Sequence, residues 1–275
     1  METPEGLSPE SRFLEFLTGV AKLTVTASLM GDVVRDAMRQ TQKLDANLDQ
    51  ETLALTGGSS AGYSFSFSSA NDGQPISAGM IEHNTDDTLR ELALAGIFAQ
   101  SWLLATAYEL YENLLFDLHA TAERQLICSL VANNSERSKK PEKILKSFRE
   151  TLPGMRIREE RYRNGIDLSL VPAAAAALRH RIVHRQGTTE DRHEVAKDVV
   201  ERCQQAGVSR TKRIALEFIA PYFGSGDHQH TVVMARRPIR IEQLRAYFVP
   251  LDDLLKLLAA QGHLIATLLE QKINS

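Results

Sequence analysis

The feature that most limits how this chain can fold is a run of five alanines, residues 173–177, preceded by Pro172 and followed by Leu178-Arg179-His180-Arg181-Ile182-Val183-His184-Arg185-Gln186-Gly187. Alanine is the best helix former, proline is tolerated in a first turn, and Gly187 supplies a left-handed stop, so the spacing predicts one helix over residues 171–185. At about 100° per residue, Leu178 and Ile182 share one face and His180 and His184 the roughly opposite one. Ile182 therefore anchors the helix while the imidazoles point elsewhere. Arg179 and His184 are five positions apart and diverge by about 140°. They meet only if Arg179 reaches round the helix, or if a second copy packs antiparallel and each site borrows from both.

Two arginines and two histidines within the six residues 179–184 suit RNA self-cleavage. The 2′-OH attacks the adjacent phosphate once there is a proton acceptor, a proton donor for the leaving 5′ oxygen, and cations for the crowded phosphorus centre. Histidine, with an unperturbed pKa of about 6.5, serves both proton roles near neutral pH. Arginine's planar fork donates to two phosphate oxygens and stays ionised. His184 is thus the candidate general base or acid, Arg179 the candidate stabiliser of the phosphate, and His180 a secondary catalytic candidate, with Arg181 and Arg185 on flanking phosphates. The need for the 2′-OH predicts RNA over DNA. The competing structural reading makes these residues a C-terminal cap favoured by the helix dipole. His180 and His184 also form half of a metal pattern, but no acidic third ligand is signalled nearby, so no metal or cofactor is expected.

The run Arg179-His180-Arg181-Ile182-Val183-His184, with its polar residue after arginine, its apolar pair before histidine and its Arg-x-Gly continuation, resembles the R-x4-H signature of the HEPN superfamily. The resemblance implies a small α-helical bundle. It implies a metal-independent endoribonuclease of the toxin–antitoxin, phage-defence or RNA-processing kind, and a homodimer that builds the active site between two copies. Some HEPN toxins carry a tyrosine two positions after the motif histidine, where an antitoxin modifies them. This chain has Gln186 there.

Composition narrows the alternatives. With 275 residues and a hydrophobic fraction of 43%, the chain can bury a proper core as one large domain or one domain plus an appendage. A net charge of −3 excludes a protein that is basic throughout, yet residues 137–185 hold thirteen Lys or Arg against five Asp or Glu, so a polyanion can bind locally. Cys128 and Cys203 show no pairing pattern, which fits a reducing compartment. The acidic start has neither the basic region nor the apolar core of a secretory signal, and no run of about 18 apolar residues occurs, so the expectation is a cytoplasmic protein without a membrane span. No Gly-x-Ser-x-Gly elbow occurs, and neither cysteine has a histidine neighbour in sequence.

Along the chain, Ser8-Pro9 reads as a cap and first-turn proline. Apolar spacing then predicts a long helix to about residue 50, broken at Gly31 if anywhere. Its near-3.5 spacing makes a coiled-coil arm the alternative to ordinary packing. Residues 56–62 are Gly/Ser-rich, and residues 63–68 alternate with period two as a short strand. No Gly-Lys-Ser/Thr element follows, so this is not a phosphate loop. Asp86 or Asp87 caps a helix to about residue 131, which holds the only tryptophan, Trp102. Beside its apolar stripe lie Glu109, Glu112 and Asn113. The resemblance makes an acidic residue there a candidate to orient the motif arginine, against the plainer reading of a solvated face. Residues 133–140 are a basic loop, residues 142–150 a short helix, and Leu152-Pro153-Gly154 a break. Arg156, Arg158, Arg161, Tyr162 and Arg163 then suit phosphates and a stacked base, unless Glu159 and Glu160 are their internal partners.

After the motif come helices over residues 194–205 and 209–219, and a loop in which Asp227, His228 and His230 are a weak metal pattern. A β-like segment over residues 231–234 follows, and one or two helices over residues 241–272 are kinked or divided by Pro250. Together these readings predict a mainly α fold. Residues 1–85 form a long N-terminal helix with a Gly/Ser-rich strand segment, and residues 86–275 a HEPN-like helical bundle with small β insertions. The expected activity is metal-independent RNA cleavage, with catalytic Arg179, His184 and His180 and with Arg181, Arg185, Arg158, Arg161 and Arg163 binding RNA. The expected partners are RNA, a second copy, and an antitoxin or defence-complex protein. The alternatives are a non-catalytic HEPN-like module that binds a nucleotide, RNA or antitoxin, and an assembly subunit whose N-terminal helix does the main work.

Overall fold

The computed structural model describes residues 8–46, 61–68, 75–128, 140–226, 229–234, 237–241 and 244–275. The Gly/Ser-rich residues 56–60, the basic residues 133–139, and Asp227 and His228 lie outside the described residues. The fold is mainly helical: α1 (Pro9–Ala46), α2 (Thr85–Arg124), α3 (Pro141–Thr151), α4 (Met155–Glu160), α5 (Val171–Arg185), α6 (Arg192–Gln205), α7 (Lys212–Ile219) and α8 (Pro250–Ile273). Antiparallel pairs β1 (Ala61–Ser68) with β2 (Pro75–His83), and β3 (Arg237–Ile241) with β4 (Leu244–Phe248), complete it.

The chain divides into two compact units. The smaller, Ser28–Ile97, holds the later part of α1, the β1–β2 pair and the start of α2, with Gly96 set against Val34. A boundary at residue 85 falls inside this unit. The larger comprises Met1–Ala27 and Phe98–Ser275 and contains the candidate site.

Several elements depart from the sequence expectation for local physical reasons. Gly31 does not interrupt α1. Asn84, not Asp86 or Asp87, caps α2 by accepting from the Asp87 N–H at 2.8 Å, and the helix ends at Arg124, where Leu126 takes a positive φ of 57°. Among the described residues, Ile241 and Leu244–Phe248 are in strands and not in a helix. Pro250 opens α8 at a first-turn position, where its missing N–H costs no hydrogen bond, so the proline begins a helix instead of dividing one. Averaged hydropathy tolerates charges that break a continuous apolar run, so α1 does hold an 18-residue window of mean hydropathy 1.3, long and apolar enough by composition to cross a membrane. Core helices of soluble proteins meet the same test, and 17% of that window is buried.

The core of the larger unit is one cluster. Leu104, Tyr111, Leu115 and Leu118 from α2 join the buried alanines, Leu178 and Ile182 of α5, Val195 and Val199 of α6, and the leucine stripe of α8. Alanines let α5 pack closely against α6 and α8, since a small side chain shortens the interaxial distance. Gly262 serves the same end on α8. A Cβ there would lie 2.8 Å from Leu114 Cδ2 and 3.7 Å from Phe13, so the present packing of α8 on α1 and α2 would require the end of Leu114 to shift if one were added.

A fully buried polar network crosses this core. Arg149 of α3 donates from Nε and Nη2 to Glu159 of α4, both at 2.8 Å, and from Nη1 to the Ala206 carbonyl at 2.8 Å. Gln261 of α8 donates to Glu159 at 2.8 Å and accepts from the Tyr111 hydroxyl.

Candidate active site on the arginine and histidine helix

Both ends of α5 are fixed by contacts distant in sequence. Before it, the Asp167 carboxylate accepts from the Ser169 N–H at 3.0 Å and its hydroxyl at 2.6 Å, and Arg210 pairs with the same carboxylate. After it, the left-handed turn begins one residue earlier than expected, at Gln186 with φ 51°, and Gly187 continues it at φ 77°. The Gly187 N–H donates to the Arg181 carbonyl at 2.9 Å, closing the last turn. Val232 N–H donates to Gly187 O at 2.7 Å and Thr189 N–H to His230 O at 2.9 Å, which ties this exit to the segment over residues 229–234.

On that fixed helix the faces separate as the spacing predicts. Leu178 and Ile182 are buried; His180, His184 and Arg185 are exposed. The His180 and His184 rings stand one turn apart with centroids 4.7 Å from each other and planes at 50°. Partial burial, then the neighbouring His184 and Arg181, push the His180 pKa below the usual histidine value, while Asp198 pulls the other way. His180 is therefore neutral near pH 7, the form that accepts a proton.

Arg179 turns toward α2 and not toward His184. Its Nη2 lies 3.0 Å from Glu109 Oε1, and its guanidinium sits 6.0 Å from the Tyr108 ring centroid. The solvated-face reading of Glu109 is thus incomplete: the carboxylate is 58% exposed yet holds the motif arginine, itself 31% exposed. Beside it, burial first, with Glu142 and Glu109 adding and Arg179 opposing, raises the Glu112 pKa above the ordinary carboxylate value. The single chain does not bring Arg179 and His184 together.

The remaining basic candidates differ in environment. Arg158, Arg161 and Arg163 are exposed along and just after α4. The proposed internal partners are engaged elsewhere: Glu159 is buried with Arg149, and Glu160 pairs with Arg210 at 2.9 Å. Arg181, expected beside Arg185 on flanking phosphates, is only 8% exposed, and its Nε has no hydrogen-bond partner. Among the described residues no three His, Cys, Asp or Glu side chains gather where a metal could be held.

Sequence reasoning missed the Arg149–Glu159–Gln261–Tyr111 network. Its only signal was an isolated Gln261 amid the apolar residues of α8. No family model matches the chain, and no curated protein or solved structure matches it either.

Proposed function

We propose that this protein is a HEPN-like, metal-independent endoribonuclease whose site is completed when the α5 helices of two copies pack antiparallel. The observation that carries the reading is the combination on α5: an arginine held in place by Glu109, and a pair of exposed imidazoles one turn apart, one of them kept neutral. A single chain points Arg179 and His184 in different directions, so a second copy is the economical way to converge them on one phosphodiester.

In the proposed reaction an imidazole, His184 or His180, takes the proton of the ribose 2′-OH. The 2′ oxygen forms a bond to phosphorus, the bond from phosphorus to the 5′ oxygen breaks, and a protonated imidazole supplies the leaving oxygen with its proton. The products are a 2′,3′-cyclic phosphate and a 5′-hydroxyl. Arg179 stabilises the added negative charge on the phosphoryl oxygens, and Arg185, Arg158, Arg161 and Arg163 attract flanking phosphates. A toxin or phage-defence role, with an antitoxin or defence-complex partner, follows from the HEPN resemblance, as does a cytoplasmic setting from the sequence.

The test is cleavage of RNA in EDTA by the full chain, beside Arg179→Ala and His184→Ala. Cyclic-phosphate ends in the parent, lost in either variant, support the enzyme. RNA binding without cleavage in the parent refutes it in favour of a non-catalytic module.

A further inference from the structure

We infer that Arg181 is a preformed seat for a phosphate oxyanion, set into the buried edge of α5 beside the imidazole pair; this rests on the RNA reading and assigns one non-scissile phosphate a fixed place within it. Arg181 lies between the core residues Leu178 and Ile182 and keeps 8% of its surface open, while its neighbours His180 and His184 are exposed. No hydrogen bond, ion pair or ring contact engages its guanidinium among the described residues, and its Nε is buried without a partner. The other deeply buried arginine, Arg149, shows the contrast: Glu159 and the Ala206 carbonyl satisfy three of its nitrogens.

The terminal nitrogens of Arg181 are not sealed from solvent as Nε is, but a guanidinium set largely in a core with no counter-charge is still unfavourable, and a methionine or leucine would fill similar volume without that cost. A position that carries it anyway is completed by a group the free chain lacks. The surroundings give that group its sign. Arg179, Arg185 and the two imidazoles surround Arg181 on α5, and the carboxylates on this side are already held, Glu109 by Arg179 and Asp198 by Arg202. The positive field of Arg181 reaches His180, whose pKa it helps to lower. An anion is favoured and a metal ion opposed. A guanidinium fork matches two oxygens of one phosphate, and that contact needs no ribose hydroxyl, so the seat accepts DNA, RNA and inorganic pyrophosphate alike even though cleavage needs the 2′-OH.

The experiment measures binding of a 2′-O-methyl RNA oligonucleotide, which cannot be cleaved by 2′-OH attack, to the full chain across a salt series, with sodium pyrophosphate as competitor. Parent, Arg181→Met and Arg181→Lys are compared below the melting temperature of each. Removing one phosphate contact should weaken binding about tenfold or more and reduce the slope of log affinity against log salt by about 0.7 for a single strand in Arg181→Met. Arg181→Lys keeps the charge and so keeps the slope, while losing the fork's affinity. Pyrophosphate should compete with the oligonucleotide in the parent and at least tenfold more weakly in Arg181→Met. An unchanged slope in Arg181→Met overturns the assignment whatever its melting temperature, as does failure of the parent to bind the oligonucleotide. Should Arg181→Met not fold, Arg181→Gln supplies the charge-free slope. A parent that binds with the full slope but never cleaves unmodified RNA removes the nuclease reading and leaves this seat standing.

Discussion

The Arg149–Glu159 pair allows the sharpest test of what holds the larger unit together. Both side chains are withdrawn from solvent, at 0% and 1% exposure, so screening by water or salt does not discount the interaction. Arg149→Met leaves the Glu159 carboxylate with only the Gln261 amide, and Glu159→Leu strands the guanidinium on the Ala206 carbonyl. Removing one partner of a buried pair costs about 3–5 kcal/mol. At roughly 2–4 °C per kcal/mol for a chain of this size, that is a fall in Tm of about 6–20 °C. The double variant is the informative arm. With neither charge stranded, its residual cost is the unsatisfied Gln261 amide and Ala206 carbonyl, about 1–3 kcal/mol each. It should therefore be no less stable than the worse single variant, with a coupling energy of about 2 kcal/mol or more. Urea denaturation followed by circular dichroism measures all four corners of the cycle. Single costs below about 1 kcal/mol, or a double variant that loses the sum of both, would refute the reasoning.

Further outcomes follow from single contacts. Glu109→Gln keeps the shape that holds Arg179 but removes the charge; because the pair is largely solvent-exposed, stability should change by less than about 1 kcal/mol, while kcat for RNA cleavage should drop about tenfold with KM little changed. An unaltered kcat would show that Glu109 does not position the arginine. By NMR, the His180 imidazole should titrate below the usual value of about 6.5 and move upward in His184→Ala, since His184 is one of the groups that lower it; a downward move contradicts the electrostatic assignment. Burial likewise lowers the pKa of His119, packed edge-on against Phe148, so the folded state binds its proton less readily than the unfolded chain. Stability should then be fully present above the unfolded value of about 6.5 and be lost as pH falls through the lower folded value. Replacing His119 by Phe should flatten that loss in a pH series of urea melts, and an equally steep fall would exclude it as the source. Gly262→Val should cost about 1–3 kcal/mol in the same melts, because Leu114 and Phe13 must move to admit the branch.

The helices were legible where local rules and burial agree. Val171–Arg185 has the bounds read from five alanines, a first-turn proline and a following turn, because each of those signals acts within a few residues. The C-terminal third was misread because Pro250 is compatible with both a kink inside one helix and the start of another. What decides between them is the antiparallel pairing of Arg237–Ile241 with Leu244–Phe248 just upstream, which the pattern over residues 241–272 does not encode. The end of α2 was overextended for a similar reason. The apolar pattern continues past Arg124, but Leu126 adopts a left-handed φ that such a pattern cannot announce.

The site was legible as chemistry but not as environment. Arg179, Arg181 and Arg185 recur on one helix with nothing in the residue types to rank them, yet they sit in three different physical settings: tied to a carboxylate 70 positions earlier, buried without a partner, and open to solvent. Their angular positions do not separate them either. At 100° per residue Arg181 lies about 60° from Leu178, while Arg185 lies about 20° from Leu178 and 60° from Ile182, so phase alone would set Arg185 nearer the core face; it is exposed where the helix ends. Helical phase alone therefore does not predict which arginine is buried. Partnering does not follow from phase, because Glu109 enters from another helix, and the charge balance at each arginine is set by whichever chain or ligand lies across from it. The three should accordingly respond differently to salt. A contact made by solvated Arg185 is screened within a Debye length of about 8 Å at physiological ionic strength, while one made by the buried Arg181 is screened much less. Each phosphate contact still releases counterions, so replacing either arginine by methionine should lower the salt slope by about 0.7, while at high salt the larger loss of affinity should come from Arg181.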